Sequence, residues 1–225
     1  MLFKSLKARE DDMEGQKNSL SLDEIDIFQE IINIAFGWAS ANLAEVIDIY
    51  VILSVPEIEL IPVDKLPEYL AEQVKGLGAL NVVEQSFLGK FMGYAYLVFP
   101  SGFEKDLLVM MNQDNEDIIE SNSLASLQSE TLLDVGNILI GACVGKISEL
   151  LNDVVTYSPP RVHLNDSSNK AISKYLFDPG ITAILMKTVF SFEKRDINGF
   201  MFLITNDESI IWLKTALNAF MEQYE

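Results

Sequence analysis

Two long segments of the chain carry apolar residues at helical spacing. The first begins at Ser21, which has Glu24 three residues further on, a pairing typical of a helix start. Apolar residues then recur every three or four positions: Leu22, Ile25, Phe28, Ile32, Ala35, Ala39, Leu43 and Val46. The second segment, about 126–151, has the same period. We therefore predict two long amphipathic helices, the first ending near Asp48.

Shorter elements follow each predicted helix in the same order. After the first come an edge strand at 50–60, a short helix at 63–75, a hairpin of strands at 79–88 and 91–99, and a helix at 101–111. After the second come a strand near 153–164, a helical or looped piece at 167–177, strands at 181–194 and 199–205, and a last helix begun by Asn206 or Asp207. Both edge strands contain a proline, Pro56 or Pro160, which cannot donate a hydrogen bond to a ladder.

The two series are related by a constant offset of 104 residues. That offset aligns Phe28 with Leu132 and Pro56 with Pro160, so the pattern indicates a duplicated unit. A unit of this size has little surface with which to bury three strands alone. We predict an α+β fold with pseudo-two-fold symmetry, in which two long helices pack on a shared antiparallel sheet.

The predicted domain organisation follows from the same pattern. Residues 1–18 are charged and aperiodic, which predicts a mobile N-terminal arm. Residues 19–225 are predicted to form a single domain made of two repeats, 19–113 and 125–225.

Composition excludes several classes of function. The chain has 225 residues and a formal net charge of −18 without a basic patch, which argues against nucleic acids and anionic membranes as partners. The negative charge is compatible with a partner that carries a basic residue near its own functional site. The only cysteine, Cys143, and the only histidine, His163, cannot build a disulfide, a Cys-based zinc cluster or a multi-His site. Cys143 is predicted to be a core residue and His163 a surface residue.

Membrane insertion and secretion are also disfavoured by the sequence. No uninterrupted apolar run approaches the ~20 residues that span a bilayer. The N-terminus is too polar for a signal peptide. We expect a cytoplasmic protein.

The outer faces of the two helices carry the candidate chemistry. Each follows the spacing acid, three residues, acid, two residues, asparagine, twenty-two residues, proline. The first copy is Asp26, Glu30, Asn33 and Pro56, and the second is Glu130, Asp134, Asn137 and Pro160. On a helical wheel the acids and the asparagine lie roughly 150° from the apolar stripe. We name Asp26, Glu30 and Asn33 the first motif face, and Glu130, Asp134 and Asn137 the second motif face.

Small residues continue both faces toward the helix C-termini. They are Gly37 and Ala41 on the first helix, and Gly141 and Gly145 on the second. A glycine inside a helix costs roughly 1 kcal/mol relative to alanine, so an outer face gains nothing from it unless another backbone must approach closely. Acids and amides on one helix are also typical of a merely solvated face, but the second copy favours a docking face.

These motifs resemble those of the CheC/CheX/FliY family of chemotaxis response-regulator phosphatases. The segments LSVPEIELIPV and LLDVGNILIGACVGKISELLND look like CheC, and the resemblance covers roughly residues 20–225. Two copies of the motif are similar to CheC rather than to CheX, which carries one. In the second copy Asp134 stands where the family has glutamate.

The resemblance implies hydrolysis of the aspartyl phosphate on a CheY-like receiver domain. By this analogy Asn33 and Asn137 hold the attacking water, while Glu30 and Asp134 pair with a lysine of the receiver. Asp26, Glu130 and the small residues would contact the partner. The protein would need no cofactor of its own, because the receiver would supply Mg²⁺.

Several alternatives stay open at this point. Trp38 could crowd the first motif face, and the shorter Asp134 could weaken the second motif face. The intact acids slightly favour the first motif face as the more active one. The protein could instead be a non-catalytic CheC-like adaptor that binds a receiver, a CheD-like deamidase or the flagellar switch, or a phosphorylation-sensing adaptor outside chemotaxis. Both a monomer and a homodimer are compatible with the sequence.

Overall fold

The computed structural model describes residues 20–47, 50–111, 124–166, 182–192, 198–205 and 207–222. The predicted arm at 1–18 lies outside the described residues, and so does the short element predicted at 167–177.

Five helices lie in the described part of the chain. They are α1 (Leu22–Ile47), α2 (Leu66–Gln73), α3 (Phe103–Met111), α4 (Leu124–Leu150) and α5 (Asp207–Glu222). The predicted start of α1 is confirmed, because the Ser21 backbone N–H donates to Glu24 Oε2 at 2.7 Å and the Glu24 N–H donates to Ser21 Oγ at 3.2 Å. This reciprocal pair satisfies two N–H groups at the helix start.

Eight strands among the described residues form one antiparallel sheet. They are β1 (Val51–Leu53), β2 (Glu57–Pro62), β3 (Leu80–Leu88), β4 (Gly93–Pro100), β5 (Thr156–Tyr157), β6 (Arg161–Asp166), β7 (Thr182–Phe192) and β8 (Asn198–Thr205). Each predicted edge strand is in fact two short strands, separated at 54–56 and at 158–160. The interruptions contain Pro56 and Pro160, because proline lacks the N–H that the ladder needs.

The edge strands of each repeat pair with a strand of the other repeat. The order is β1-β7-β8-β4-β3-β5, with β2 also paired to β7 and β6 also paired to β3. The first repeat's edge strands β1 and β2 thus extend the second repeat's β7, and β5 and β6 extend the first repeat's β3. Strands β4 and β8 pair at the centre, so the sheet is shared and has pseudo-two-fold symmetry.

The sheet is covered by apolar residues on both faces. The larger core joins α1, α3, α4 and α5 to one face, with Phe28, Phe87 and Leu139 fully buried. A smaller core lies on the other face under α2 and includes Leu66 and Tyr96. Helices α1 and α4 also contact each other. Their apolar stripes are therefore fixed inward, and their motif faces are turned outward.

Helix α4 is apolar enough to raise the question of a membrane span. By length and composition, residues Ser126–Leu150 pass that test, and 56% of the most apolar stretch is buried inside the fold. The absence of a long uninterrupted apolar run thus did not reveal that α4 meets the length and composition criterion for a span. The buried residues Leu132, Leu139 and Ile147 lie in the larger core, so this apolar character serves packing on the sheet.

Candidate functional site

The first motif face lies on the solvent side of α1. Asp26, Glu30 and Asn33 are exposed, whereas Phe28 and Ile32 on the opposite stripe are fully buried. Ile25, at the margin of the stripe, is half-buried. The helical period thus brings the two acids and the amide together on one accessible surface.

The second motif face has the same placement on α4. Glu130, Asp134 and Asn137 are exposed, and Leu132 and Cys143 are fully buried. Within the described residues, no group of three or more His, Cys, Asp or Glu side chains is placed to hold a metal ion. The arrangement offers negative charge and a neutral amide, which can pair with a cation and exchange hydrogen bonds with oxygen atoms.

The small residues beside each motif face differ in what surrounds them. A Cβ atom added to Gly37 or Gly141 would meet no atom within 4 Å, outside its own helix backbone and chain neighbours. A Cβ on Gly145 would lie 3.3 Å from the hydroxyl oxygen of Tyr157. Ala41 is exposed. Packing among the described residues therefore gives no reason for glycine at 37 and 141.

The strand interruptions are tied to neighbouring elements by hydrogen bonds. Pro56 is buried, and its carbonyl oxygen accepts a hydrogen bond from Gln29 Nε2 on α1 at 2.9 Å. In the second repeat, the carbonyl oxygen of Ser158 accepts one from Gln85 Nε2 on β3 at 2.9 Å. Pro160 is half-buried. The interruption at Pro56 is thus held to α1, and the interruption before Pro160 is held to β3.

Gln85 connects the sheet to the second motif face. Its Nε2 also donates to Asn137 Oδ1 at 3.0 Å, and the side chain is only 2% exposed. Asn33 makes no side-chain hydrogen bond with any other described residue. Sequence reasoning missed Gln85. The available signal was a polar residue between Val83 and Phe87, on the strand face that alternation turns toward the core.

Trp38 lies beside α4. The residue is 56% exposed, and its ring centroid lies 4.5 Å from Lys146 Nζ on α4. The helical period puts Trp38 about 100° around α1 from Gly37. Trp38 therefore forms a cation–π contact between the two helices.

Cys143 and His163 have different environments. Burial raises the pKa of the Cys143 thiol well above its ordinary value, so the side chain is a neutral core residue, as predicted. His163, expected at the surface, is half-buried, and its Nε2 lies 3.4 Å from Glu84 Oε2. Glu84 is itself buried, so His163 is the partner of a buried acid.

Tyr157 braces α4 next to the small residues. Its hydroxyl donates to the carbonyl oxygen of Gly141 at 3.3 Å. Burial first, and then proximity to Cys143, raise the pKa of Tyr157 to about 12. The hydroxyl therefore keeps its proton, and with it this hydrogen bond, across the neutral range.

Comparison with known proteins was made in sequence and in structure. No known family model matches the chain. The CheY-P phosphatase CheC of Bacillus subtilis (strain 168) is 26% identical over 214 residues, which cover 90% of this chain and 97% of CheC. The sequence similarity thus extends over nearly the whole of both proteins.

Solved structures that share the fold include FliY and CheX. FliY from Thermotoga maritima superposes with a TM-score of 0.64 at 18% identity, covering 89% of this chain and 98% of FliY. The chemotaxis protein CheX from Desulfovibrio desulfuricans gives a TM-score of 0.50 at 15% identity, covering 79% of this chain and 99% of CheX. The resemblance to the CheC/CheX/FliY family that the motifs predicted is therefore confirmed in sequence and in fold.

Proposed function

We propose that this CheC-like chain is a phosphatase that hydrolyses the aspartyl phosphate of a CheY-type response regulator. One observation carries the proposal: two helices present the same acid, acid and asparagine pattern on exposed faces. The similarity to a CheC named as a CheY-P phosphatase supports the same activity.

The motif side chains are available to a partner because the fold does not use them. Within the part of the chain that the structure describes, Asp26, Glu30, Glu130 and Asp134 make no side-chain hydrogen bond or ion pair. Asn33 makes none either, and only the oxygen of the Asn137 amide is engaged. A solvated face would also leave its side chains unpaired, but it would not explain the glycines next to them.

Docking would bring a basic residue of the receiver to each acidic pair. Glu30 and Asp134 would pair with the receiver's lysine, and Asp26 and Glu130 would lie beside that contact. The small residues Gly37, Ala41, Gly141 and Gly145 would let the receiver's backbone come close to the helix. A formal charge of −18 would speed the encounter with a positively charged site.

Asn33 and Asn137 would orient the attacking water. An amide can donate and accept hydrogen bonds, and it carries no charge to repel the phosphoryl group. The water oxygen forms a new bond to phosphorus, the bond between phosphorus and the aspartate oxygen breaks, and phosphate and free aspartate result. Mg²⁺ held by the receiver would neutralise charge on the phosphoryl oxygens. Oriented hydrogen bonding of this kind gives rate factors of roughly 10²–10⁴.

The two motif faces would differ in strength. Asp134 is one methylene shorter than glutamate, and a displacement of about 1 Å at a reacting centre can cost on the order of 10² in rate. The first face has Glu30 at full length, and Trp38 is turned toward α4. These features favour the first face in anchoring the receiver.

The proposed setting is the cytoplasm, where a CheY-type regulator would be found. We also propose a CheD-like deamidase as a second partner that this chain would bind. Under the competing adaptor hypothesis, the same surfaces would bind a receiver without turnover.

The proposal is tested by phosphate release from a panel of phosphorylated receivers. Wild type should accelerate release from at least one receiver, and Asn33→Ala and Asn137→Ala should each lower the rate. Binding without acceleration, for every receiver in the panel, would instead establish the adaptor.

A further inference from the structure

Gln85 makes the two motif faces chemically unequal. Its Nε2 lies 2.9 Å from the Ser158 carbonyl oxygen and 3.0 Å from Asn137 Oδ1. Its own Oε1 is buried and has no hydrogen-bond partner within the described residues. A buried oxygen without a partner costs stability, and the hydrogen bond to the edge strand does not by itself require glutamine, because the Thr188 hydroxyl makes the equivalent bond to Ser54 in the first repeat.

The contacts determine which way both amides point. A backbone carbonyl only accepts hydrogen bonds, so the Gln85 atom next to Ser158 must be the nitrogen. That same nitrogen lies next to Asn137, so the Asn137 atom facing it must be the oxygen. The Nδ2 group of Asn137 is then left with both of its N–H donors free of any described residue. Asn137 thus offers donors, not its oxygen, to whatever docks on α4.

The first repeat has an equivalent hydrogen bond to its edge strand, but that bond does not hold the motif asparagine. Ser54 and Ser158 are equivalent, each two residues before its proline. The carbonyl oxygen of Ser54 accepts a hydrogen bond from Thr188 Oγ1 at 2.7 Å. Threonine has one hydroxyl proton, which this bond uses. Thr188 therefore holds the edge strand but leaves Asn33 unheld.

We propose that Gln85 is a positioning residue that fixes Asn137 with its nitrogen toward the docked receiver. The inference rests on the proposed phosphatase activity. A fixed pair of N–H donors matches the oxygen atoms of a phosphoryl group or of the attacking water. Because the orientation is set before docking, less ordering remains to be done in the reacting complex.

The orientation itself is tested on the full chain without any receiver. Side-chain ¹⁵N relaxation should show the Asn137 amide to be more rigid than that of Asn33, with the two signals assigned from Asn33→Ala and Asn137→Ala. In Gln85→Met, the Asn137 amide should become as mobile as Asn33. Equal mobility of the two amides in the wild-type protein would overturn the proposal, whatever the activity.

The effect on turnover is tested in an Asn33→Ala background, where only the second face remains. Gln85→Met should lower kcat about ten-fold and change KM by no more than about two-fold, because orientation and not docking is lost. Gln85→Glu keeps the shape but replaces the donor with an acceptor, so it should lower kcat at least as far. Full kcat in Gln85→Glu would show that Gln85 acts by packing alone.

Thr188→Val in the same background is the matched control. It removes the equivalent hydrogen bond to Ser54 without touching Asn137, so kcat should equal that of Asn33→Ala alone. An equal loss in Thr188→Val and Gln85→Met would overturn the proposal by showing a general effect of loosening the edge strands. If the wild type has no activity on any receiver, the proposed function fails, and the relaxation measurement still decides whether Gln85 holds Asn137.

Discussion

Glycine has two different roles along helix α4. A Cβ atom at Gly136 would lie 2.6 Å from Val83 Cγ1, so the helix could not approach β3 as closely with any other residue. A Cβ at Gly141 would meet nothing within 4 Å outside the local helix. The first glycine is required by helix–sheet packing, whereas packing among the described residues does not require the second.

Two alanine substitutions should therefore change stability in opposite directions. Gly136→Ala should lower the free energy of unfolding by roughly 1–3 kcal/mol, because the core must move to admit the methyl group. Gly141→Ala should raise it by up to about 1 kcal/mol through helix propensity alone. Urea unfolding of both variants measures this. A loss of stability in Gly141→Ala would mean that the site is packed after all.

The buried thiol of Cys143 should make stability depend on alkaline pH. Burial raises its pKa in the folded state. A raised pKa means that the stabilisation is complete below the unfolded value of about 8.5 and is lost as pH rises above it. The free energy of unfolding should fall by up to about 1.4 kcal/mol per pH unit between about pH 9 and 10 on this account.

Cys143→Ala separates this effect from the other groups that titrate at high pH. Urea unfolding under reducing conditions should give a smaller slope against pH in the variant than in the wild type. Equal slopes of the free energy of unfolding against pH in the two proteins would show that burial does not raise the pKa of the Cys143 thiol.

At the scale of elements, α1 and α4 each divide into a packed side and an open side. The sequence was sufficient to predict this division, because the apolar period and the acid–asparagine spacing are local properties of one helix. It was not sufficient to predict the hydrogen bond from Gln85 to Asn137, which joins residues 52 positions apart. Nor was it sufficient to place the breaks at Pro56 and Pro160, since a proline indicates an edge strand without fixing how many residues leave the ladder.

The open side of α1 should tolerate bulk in the free protein but not in the docked complex. In an Asn137→Ala background, Gly37→Leu should leave the melting temperature unchanged or higher, because its Cβ enters open space. The same change should raise KM for the phosphorylated receiver about ten-fold, or ~1.4 kcal/mol of docking free energy. Phosphate-release kinetics and thermal unfolding measure the two effects.

Glu45→Leu is the control for this substitution. Glu45 is exposed on the same helix, but the helical period puts it about 80° away from Gly37. In the Asn137→Ala background, Glu45→Leu should leave KM near the value of Asn137→Ala alone. An unchanged KM in Gly37→Leu would remove the small-residue strip from the docking surface.

At the scale of the molecule, the exchange of edge strands makes the repeats interdependent. Strands β1 and β2 pair only with β7, and β5 and β6 pair only with β3, among the described strands. The duplication was evident from the 104-residue offset, but the exchange was not, because strand pairing between distant segments leaves no periodic trace in sequence.

Neither repeat should therefore fold alone. A fragment of residues 1–113 would lack β5 and β6 beside β3 and β8 beside β4, so it should lack a cooperative thermal transition by circular dichroism. Mixing it with a fragment of residues 114–225 should restore the transition. A cooperative transition in the first fragment by itself would mean that the repeats are separate folding units.

The central claim is that the two exposed asparagines perform the chemistry. Its most direct test is phosphate release from a phosphorylated receiver by the double variant Asn33→Ala/Asn137→Ala. Because both side chains are exposed and, among the described residues, only Asn137 makes a side-chain hydrogen bond, with Gln85, the variant should keep the wild-type circular dichroism spectrum and lose its acceleration by roughly 10²-fold or more. Wild-type turnover in the folded double variant would contradict the account.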